Sequence, residues 1–487
     1  MLKMVLPPSC NTTHNANHQK GDTSMSVLSR VMHILSKSRF LSSVDRKSTQ
    51  DEYNSSLPIK RASLLSCEYI AKTGSDHSLP IKPVGLGFII TYALAYFGVL
   101  LAALTPSIVT LAIRTQQLDP VSKAHSLGLI NAVGGVFVLI ATPLIGKFCD
   151  RTTSRFGMRR PWIIGGLIGE VMSVLIMASA PSIMGLMIGF ALSQMALSAM
   201  YSGLTAILAD QVPEKQRCRV GGMLNTSQPF ARAGATFIAQ AVSTTTFLMF
   251  LIPVVLCAIF VLAFTFTLHD RTLSPEKRTP FGFREFLSSF WVNPYHYPDF
   301  GWVWLGRFLF YMGLQTLNTY EIYFLNDNLH VNSNALTQVV FISNLLPLLG
   351  IVVAGNFCGW LSDRLQHRRI FVLIACLMYA SGLLLVALAG SVNEFLIGTA
   401  TAKIGEGIFL PIDLALVVAV LPRKGREAAK DLGIFTLANI LPLLFAPLVA
   451  SFFLTLTGSN NYSSVFLAAA MFVGMGALSV LLVKSVR

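Results

Sequence analysis

Twelve long apolar stretches follow one another from about residue 84 to residue 484, each roughly 20 residues or longer. A helix needs that length to cross about 30 Å of hydrocarbon. In lipid every backbone N–H and C=O must find a partner, so only helices and closed barrels span. Apolar runs of helical length therefore predict an all-α polytopic membrane protein. Charge density decides against a large soluble helical domain: Asp, Glu, Lys and Arg make up 12% of the chain, against about 25% in soluble proteins. The expected spans are 84–112, 126–148, 161–180, 182–209, 220–242, 246–268, 301–325, 336–360, 370–390, 393–421, 431–456 and 463–484.

A polar, Ser- and Lys-rich tail precedes them. Residues 1–80 read as a disordered or amphipathic cytoplasmic tail; within it Met25–Leu41 sets apolar residues at helical spacing among Arg30, Lys37 and Arg39. Residues 81–268 then form one six-helix bundle, 269–300 a cytoplasmic linker and 301–487 a second six-helix bundle. The net charge of +14 does not imply a nucleic-acid partner, because the basic residues gather on one side of the predicted bundle. Lys147 ends the second span and Arg151, Arg155, Arg159 and Arg160 follow it, and similar groups follow the fourth, sixth, eighth and tenth. The odd-numbered connections hold only Arg114 and Lys123. Positive-inside asymmetry predicts cytoplasmic termini and a multi-pass protein of the cell membrane. Seven cysteines occur without CxxC or Cys/His clustering, which predicts neither a disulfide framework nor a metal site.

The two halves share punctuation. Gly146-Lys-Phe-Cys-Asp150-Arg151 ends the second span, and Gly359-Trp-Leu-Ser-Asp363-Arg364 ends the eighth. Asp210-Gln-Val-Pro213 leads to Gly221-Gly222, as Val420-Leu-Pro422 leads to Gly433. Matching signals on helices running the same way argue for duplication about an axis along the membrane normal. Gly134, Gly135, Gly165 and Gly166 are expected to serve close helix packing.

From Gly146 through Asp150, Arg151, Arg155, Gly157, Arg159 and Arg160 to Pro161, the chain resembles the loop between helices 2 and 3 of the major facilitator superfamily. The longer DRTxSRFGxRRPW form resembles the branch of sucrose and glycoside–cation symporters and their bacterial relatives. The second copy (Gly359, Asp363, Arg364, Arg368, Arg369) lacks the second glycine. The resemblance covers about residues 84 to 487. It implies a gating latch in which Asp150 faces the start of helix 11 near Asp431, and Asp363 faces the start of helix 5. A carboxylate at a helix N-terminus is favoured by the macrodipole.

Ionisable residues at membrane depth are costly and usually functional. By depth, Glu170, Arg232 and Glu406 fall near the midplane, with Arg307 and Asp413 nearer the cytoplasm. Lys403 and Glu406 are three apart, share a helix face and are expected to pair. Arg114 and Glu321 read as ordinary outer-end residues. A midplane glutamate can exchange a proton as its exposure alternates, and an arginine can hold a hydroxylated solute or the carboxylate. Asn439, Asn344, Gln194, Asn318, Tyr201 and Tyr320 offer polar groups to such a cavity, and Trp304, Phe308 and Tyr311 offer aromatic faces.

These features predict a secondary transporter that moves a small solute by alternating access, acting as a monomer in the lipid bilayer. The resemblance implies a sugar or glycoside, with a proton as the coupling ion. An exporter of drugs or metabolites and a transport-inactive sensor are the alternatives. No cofactor is expected. HExxH, GxSxG and Walker signatures do not occur, so no enzyme is expected.

Overall fold

In the computed structural model the described residues are 84–243, 245–268, 270, 297–365, 367–420, 428–457 and 461–483. The tail, with its Met25–Leu41 stretch, and most of the 269–300 linker lie outside them. Among the described residues the chain forms helices and no strand. The first group comprises α1 (Leu86–Leu118), α2 (Lys123–Asp150), α3 (Arg160–Ser179), α4 (Ile183–Gln211), α5 (Glu214–Ala241) and α6 (Thr246–Thr267). The second comprises α7 (Pro298–Asp327), α8 in two pieces (α8a, Ser333–Leu345, and α8b, Leu348–Leu365), α9 (Arg368–Leu388), α10 (Val392–Val420), α11 (Ala428–Thr457) and α12 (Tyr462–Leu481).

Local chemistry sets several ends. Proline opens α3 and α7, where its missing N–H costs nothing and its fixed φ suits the first turn. Ser182 caps α4 and Asn461 caps α12, each accepting a backbone N–H three residues on. Pro106 starts a π-helical turn, Pro106–Thr110, inside α1. Pro347 divides α8, since it can neither donate an amide nor fit against the preceding turn.

Ten of these helices are long and apolar enough to cross a membrane by composition alone. The two that fall short, α5 and α7, correct the expectation of twelve uniformly apolar spans. Their polar residues turn inward: Arg232 on α5 and Glu321 on α7 are both buried. A helix facing protein on most sides has no need of an apolar surface all round. Apolar side chains instead lie outward elsewhere, as with Phe266, Leu349 and Leu388.

Helices α1–α6 pack chiefly on one another through α1–α6, α1–α5, α2–α4 and α3–α4. Helices α7–α12 do the same through α9–α10, α7–α12, α9–α12 and α7–α11. The principal contacts between the groups are α2–α11 and α5–α8a. Adding six to each number turns α1–α6, α1–α5 and α3–α4 into α7–α12, α7–α11 and α9–α10, and the further contacts α8b–α10 and α3–α6 match α2–α4 and α9–α12, as a duplicated arrangement requires. Close approach depends on small residues: a Cβ on Gly135 of α2 would lie 3.0 Å from the Leu444 amide of α11. Gly134 and Gly166 are similarly enclosed, by Phe190 and by the Ala196 carbonyl. Gly165 differs from expectation, because a Cβ there meets no atom within 4 Å.

Candidate functional site

Three charged residues of α10 line one buried column. Lys403, Glu406 and Asp413 are all buried. At 3.6 residues per turn they fall within about 80° of one another and rise over about 15 Å. Each meets an opposite charge from another helix.

Glu406, at the middle of α10, accepts two hydrogen bonds from Arg232 Nη1, at 3.2 and 3.0 Å. Arg232 belongs to α5, so this contact ties the two helical groups together. Both side chains are almost wholly withdrawn from solvent, and Arg232 Nε has no hydrogen-bond partner among the described residues. Asp413 pairs with Arg307 of α7 at 2.5 Å. Arg307 Nε also donates to Asn439 Oδ1 of α11 at 2.6 Å, and its guanidinium stands beside the Tyr311 and Phe435 rings. Trp304 and Phe308 stack nearby on α7, with Trp304 Nε1 donating to the Ile434 carbonyl.

Lys403 does not pair with Glu406, contrary to expectation. Its ammonium donates to Asn344 Oδ1 at 2.9 Å and to the Ser343 carbonyl at 3.2 Å, and lies 4.0 Å from Glu321 Oε2. The reason is in α8. The Ser343 carbonyl would normally accept from residue 347, but Pro347 has no N–H. The orphaned carbonyl is a fixed acceptor deep in the bundle, and an unmet buried carbonyl costs several kcal/mol in apolar surroundings. Lys403 fills that vacancy, leaving Glu406 to Arg232. Glu321, expected to be an ordinary outer-end residue, is instead 1% exposed and accepts the Ser343 hydroxyl. Its role was readable only from the proline break opposite it.

Glu170 stands apart from this column. It is fully buried between α3 and α4 and accepts the Ser193 hydroxyl at 3.0 and 2.8 Å. Tyr320 reaches the Pro447 carbonyl, and Tyr201 packs against Tyr96.

The loop between α2 and α3 forms a second polar cluster. Arg159, 6% exposed, donates to Asp150 at 2.6 Å, to Asp210 of α4 at 2.9 Å and to the Cys149 sulfur. Asp150 thus has an ion pair within its own group of helices, and the side chains at the start of α11 that it is expected to face lie outside the described residues. Its carboxylate remains 64% exposed. The side chains of Asp363 and Asp431 lie outside the described residues, and Arg364 is exposed. A further anchor, Asp270, was not foreseen. Its Oδ2 accepts from the backbone amides of Arg159 and Arg160 at 2.7 and 2.8 Å, at the positive end of α3. Gly157 makes room for it: φ is +109°, and a Cβ there would lie 2.2 Å from Asp270 Oδ2. Arg160 donates to the Leu268 carbonyl. Arg155 lies over the exposed Phe156 ring, while Arg151 is half-buried. Gly146 borders open space, as does Gly359 in the second copy.

At the opposite end the groups are pinned. Lys123, at the start of α2, contacts Asp327, at the end of α7, at 2.6 Å with both side chains about nine-tenths buried. Tyr323 donates to the Ala112 carbonyl of α1 at 2.9 Å and presents its ring to Lys123. Each charge sits at the unfavourable end of its own helix dipole, so the pairing across the groups compensates both. Arg114 binds the Ala180 carbonyl at this end.

Two packed groups of helices, bridged by a buried Arg–Glu pair and pinned at one end, define a polytopic membrane protein with a polar interior. The sequence matches the Major Facilitator Superfamily over residues 84–356 and again over 303–487. The chain belongs to that family. Among curated relatives, the MFS-type transporter YfiU of Bacillus subtilis is 34% identical over 117 residues, 24% of this chain and 22% of that protein. MdtD of Escherichia coli, named for multidrug resistance, is 29% identical over 101 residues, 21% of this chain and 19% of that protein. The chain thus matches about a fifth of the length of either. Among solved structures, the nucleoside transporter NupG superposes with a TM-score of 0.66 at 12% identity, covering 81% of this chain and 99% of that one. A bacterial homologue of the human lysosomal transporter Spinster, inward-facing and occupied, gives 0.62 at 14% identity, covering 84% and 98%. At such identities the likeness is one of fold.

Proposed function

We propose that the protein is a secondary active transporter that moves a small polar solute, a sugar or glycoside, together with a proton by alternating access. The observation that carries this reading is the buried Arg232–Glu406 contact between the two helical groups. A rocking motion about the α2–α11 and α5–α8a contacts would make and break it. Glu406 would take up a proton when the guanidinium withdraws and release it when the guanidinium returns, since a nearby cation favours the carboxylate. The sugar assignment rests on the DRTxSRFGxRRPW resemblance and on the polar and aromatic groups around Arg307, which suit hydroxylated rings. Residues 81–268 and 301–487 are the two moving bodies in this reading, with Asp150, Arg159 and Asp210 tightening the loop end. The protein would act as a monomer in the cell membrane, with both termini in the cytoplasm.

The test is uptake of a labelled solute panel into proteoliposomes, with and without an imposed pH gradient. Sugar uptake that rises with inward proton flow is the expected result. Accumulation independent of the gradient would remove proton coupling. Movement of drugs and not sugars would favour export, a second reading suggested by the match to MdtD. A protein that binds a solute without moving it would be a sensor.

A further inference from the structure

A groove of about 600 Å³ runs along the outside of α3 and α4, far from the α10 column and capped by the end of α2. Its lining is almost wholly apolar and includes Ile145, Trp162, Gly165, Gly169, Leu192 and Met195. The exposed side chains around it are Ile164, Ile168, Met172 and Ile188, so this face looks into lipid. The floor is low because glycine replaces side chains: at Gly165 nothing lies within 4 Å of an added Cβ. Gly165 and Gly169 are four apart and so stand one above the other on one helix face.

The groove has a length and a polarity. From Pro161 to Ser173, both in the lining, α3 rises about 18 Å. One leaflet of a hydrocarbon core about 30 Å thick is about 15 Å deep. The groove therefore matches the depth of a single leaflet. One end is closed by Thr152, whose hydroxyl accepts from Trp162 Nε1 at 2.7 Å. Trp162 stacks on Phe148, half exposed at the same end, the placement tryptophan favours at a membrane–water interface. Arg151 and Arg155 flank Thr152 in the chain, and Lys147 is exposed one turn below.

We infer that this groove is a binding site for one anionic phospholipid from the leaflet on the Asp150 side. An acyl chain lies over Gly165 and Gly169, and the headgroup meets the cations at Thr152. The occupant is a lipid and not a second copy of the chain because the groove is one leaflet deep and the basic residues that neighbour Thr152 in the chain lie at one end of it. Basic residues beside a membrane attract anionic headgroups. The bound lipid braces Thr152 and Trp162, and through them the loop that carries Arg159.

The full chain is purified in a mild detergent and titrated with phosphatidylglycerol or phosphatidylcholine. Native mass spectrometry reads retained lipid, and thermal unfolding reads stabilisation. The wild type is expected to retain one phosphatidylglycerol and to unfold at a higher temperature in its presence. Gly165→Leu, which fills the groove where no atom obstructs it, should lose both effects while unfolding normally without added lipid. Arg151→Gln with Arg155→Gln should bind the two lipids equally. Equal retention of the two lipids by the wild type, unaltered retention by Gly165→Leu, or a dimer that Gly165→Leu abolishes would each overturn the assignment.

Discussion

Replacing Glu406 with glutamine removes the charge that faces Arg232 while keeping the shape of the side chain. Arg232 is buried, and both of its side-chain hydrogen bonds among the described residues go to Glu406. Its Nε already lacks a partner there. Stripping one member from a buried ion pair costs about 3–5 kcal/mol, because the other charge is left stranded. At 1.4 kcal/mol per factor of ten, this is a shift of about two to three and a half orders of magnitude against any conformation in which α5 and α10 touch. Removing both charges is a different perturbation: apolar replacement of a whole buried pair is often neutral or stabilising. Thermal unfolding of purified protein and gradient-driven uptake into proteoliposomes should therefore separate. Glu406→Gln should unfold at a lower temperature and lose the response to the pH gradient. Arg232→Met with Glu406→Leu should regain the unfolding temperature and still fail to couple. A doubly apolar protein that transports like the wild type would refute the reasoning, as would a Glu406→Gln protein unchanged in both assays.

Three further outcomes follow from the other clusters. Lys123→Ala should open the end opposite the loop cluster, forfeiting about 1.5–3 kcal/mol for a hydrogen bond between charged groups; thiol labelling of cysteines placed beside Tyr323 should accelerate, and exchanging the two charges between positions 123 and 327 should restore slow labelling. Pro347→Ala returns an N–H to the Ser343 carbonyl and so competes with Lys403. It should keep or raise thermal stability, by at most about 3 kcal/mol, while uptake falls; unchanged uptake would dismiss the orphaned carbonyl as a functional acceptor. Gly157→Ala forces a side chain into positive φ and against Asp270, and should cost about 1–3 kcal/mol. In an Asp270→Ala background the same change should cost measurably less by denaturant or thermal unfolding, and additive costs would separate the two residues.

The spans were legible because lipid imposes a length and an apolar content that few other environments demand. Even α5 and α7, which fall short on apolarity, carried stretches apolar enough to be counted among the twelve. Glu406 and Arg232 were legible as midplane charges, since depth follows from counting residues along a helix. Their pairing was not, because it joins residues 174 positions apart across two bundles. The i,i+3 rule pointed Lys403 at Glu406, and it failed because Pro347 had created a stronger demand on a neighbouring helix. That signal stood in the sequence as a proline inside an apolar run. Gly157 was visible as part of a motif, but its reason, the carboxylate of Asp270, lies 113 positions onward.

Among the described residues, Arg232 is the one member of the α10 column supplied by α1–α6; Arg307, Asp413, Glu321 and Lys403 all belong to α7–α12. Separation of the two bodies, as in the proposed cycle, would leave four of these charges matched and two stranded, the Glu406 anion on one body and the Arg232 cation on the other. In that proposed cycle a proton at Glu406 and a polar or anionic group at Arg232 would answer the two ends of one broken contact.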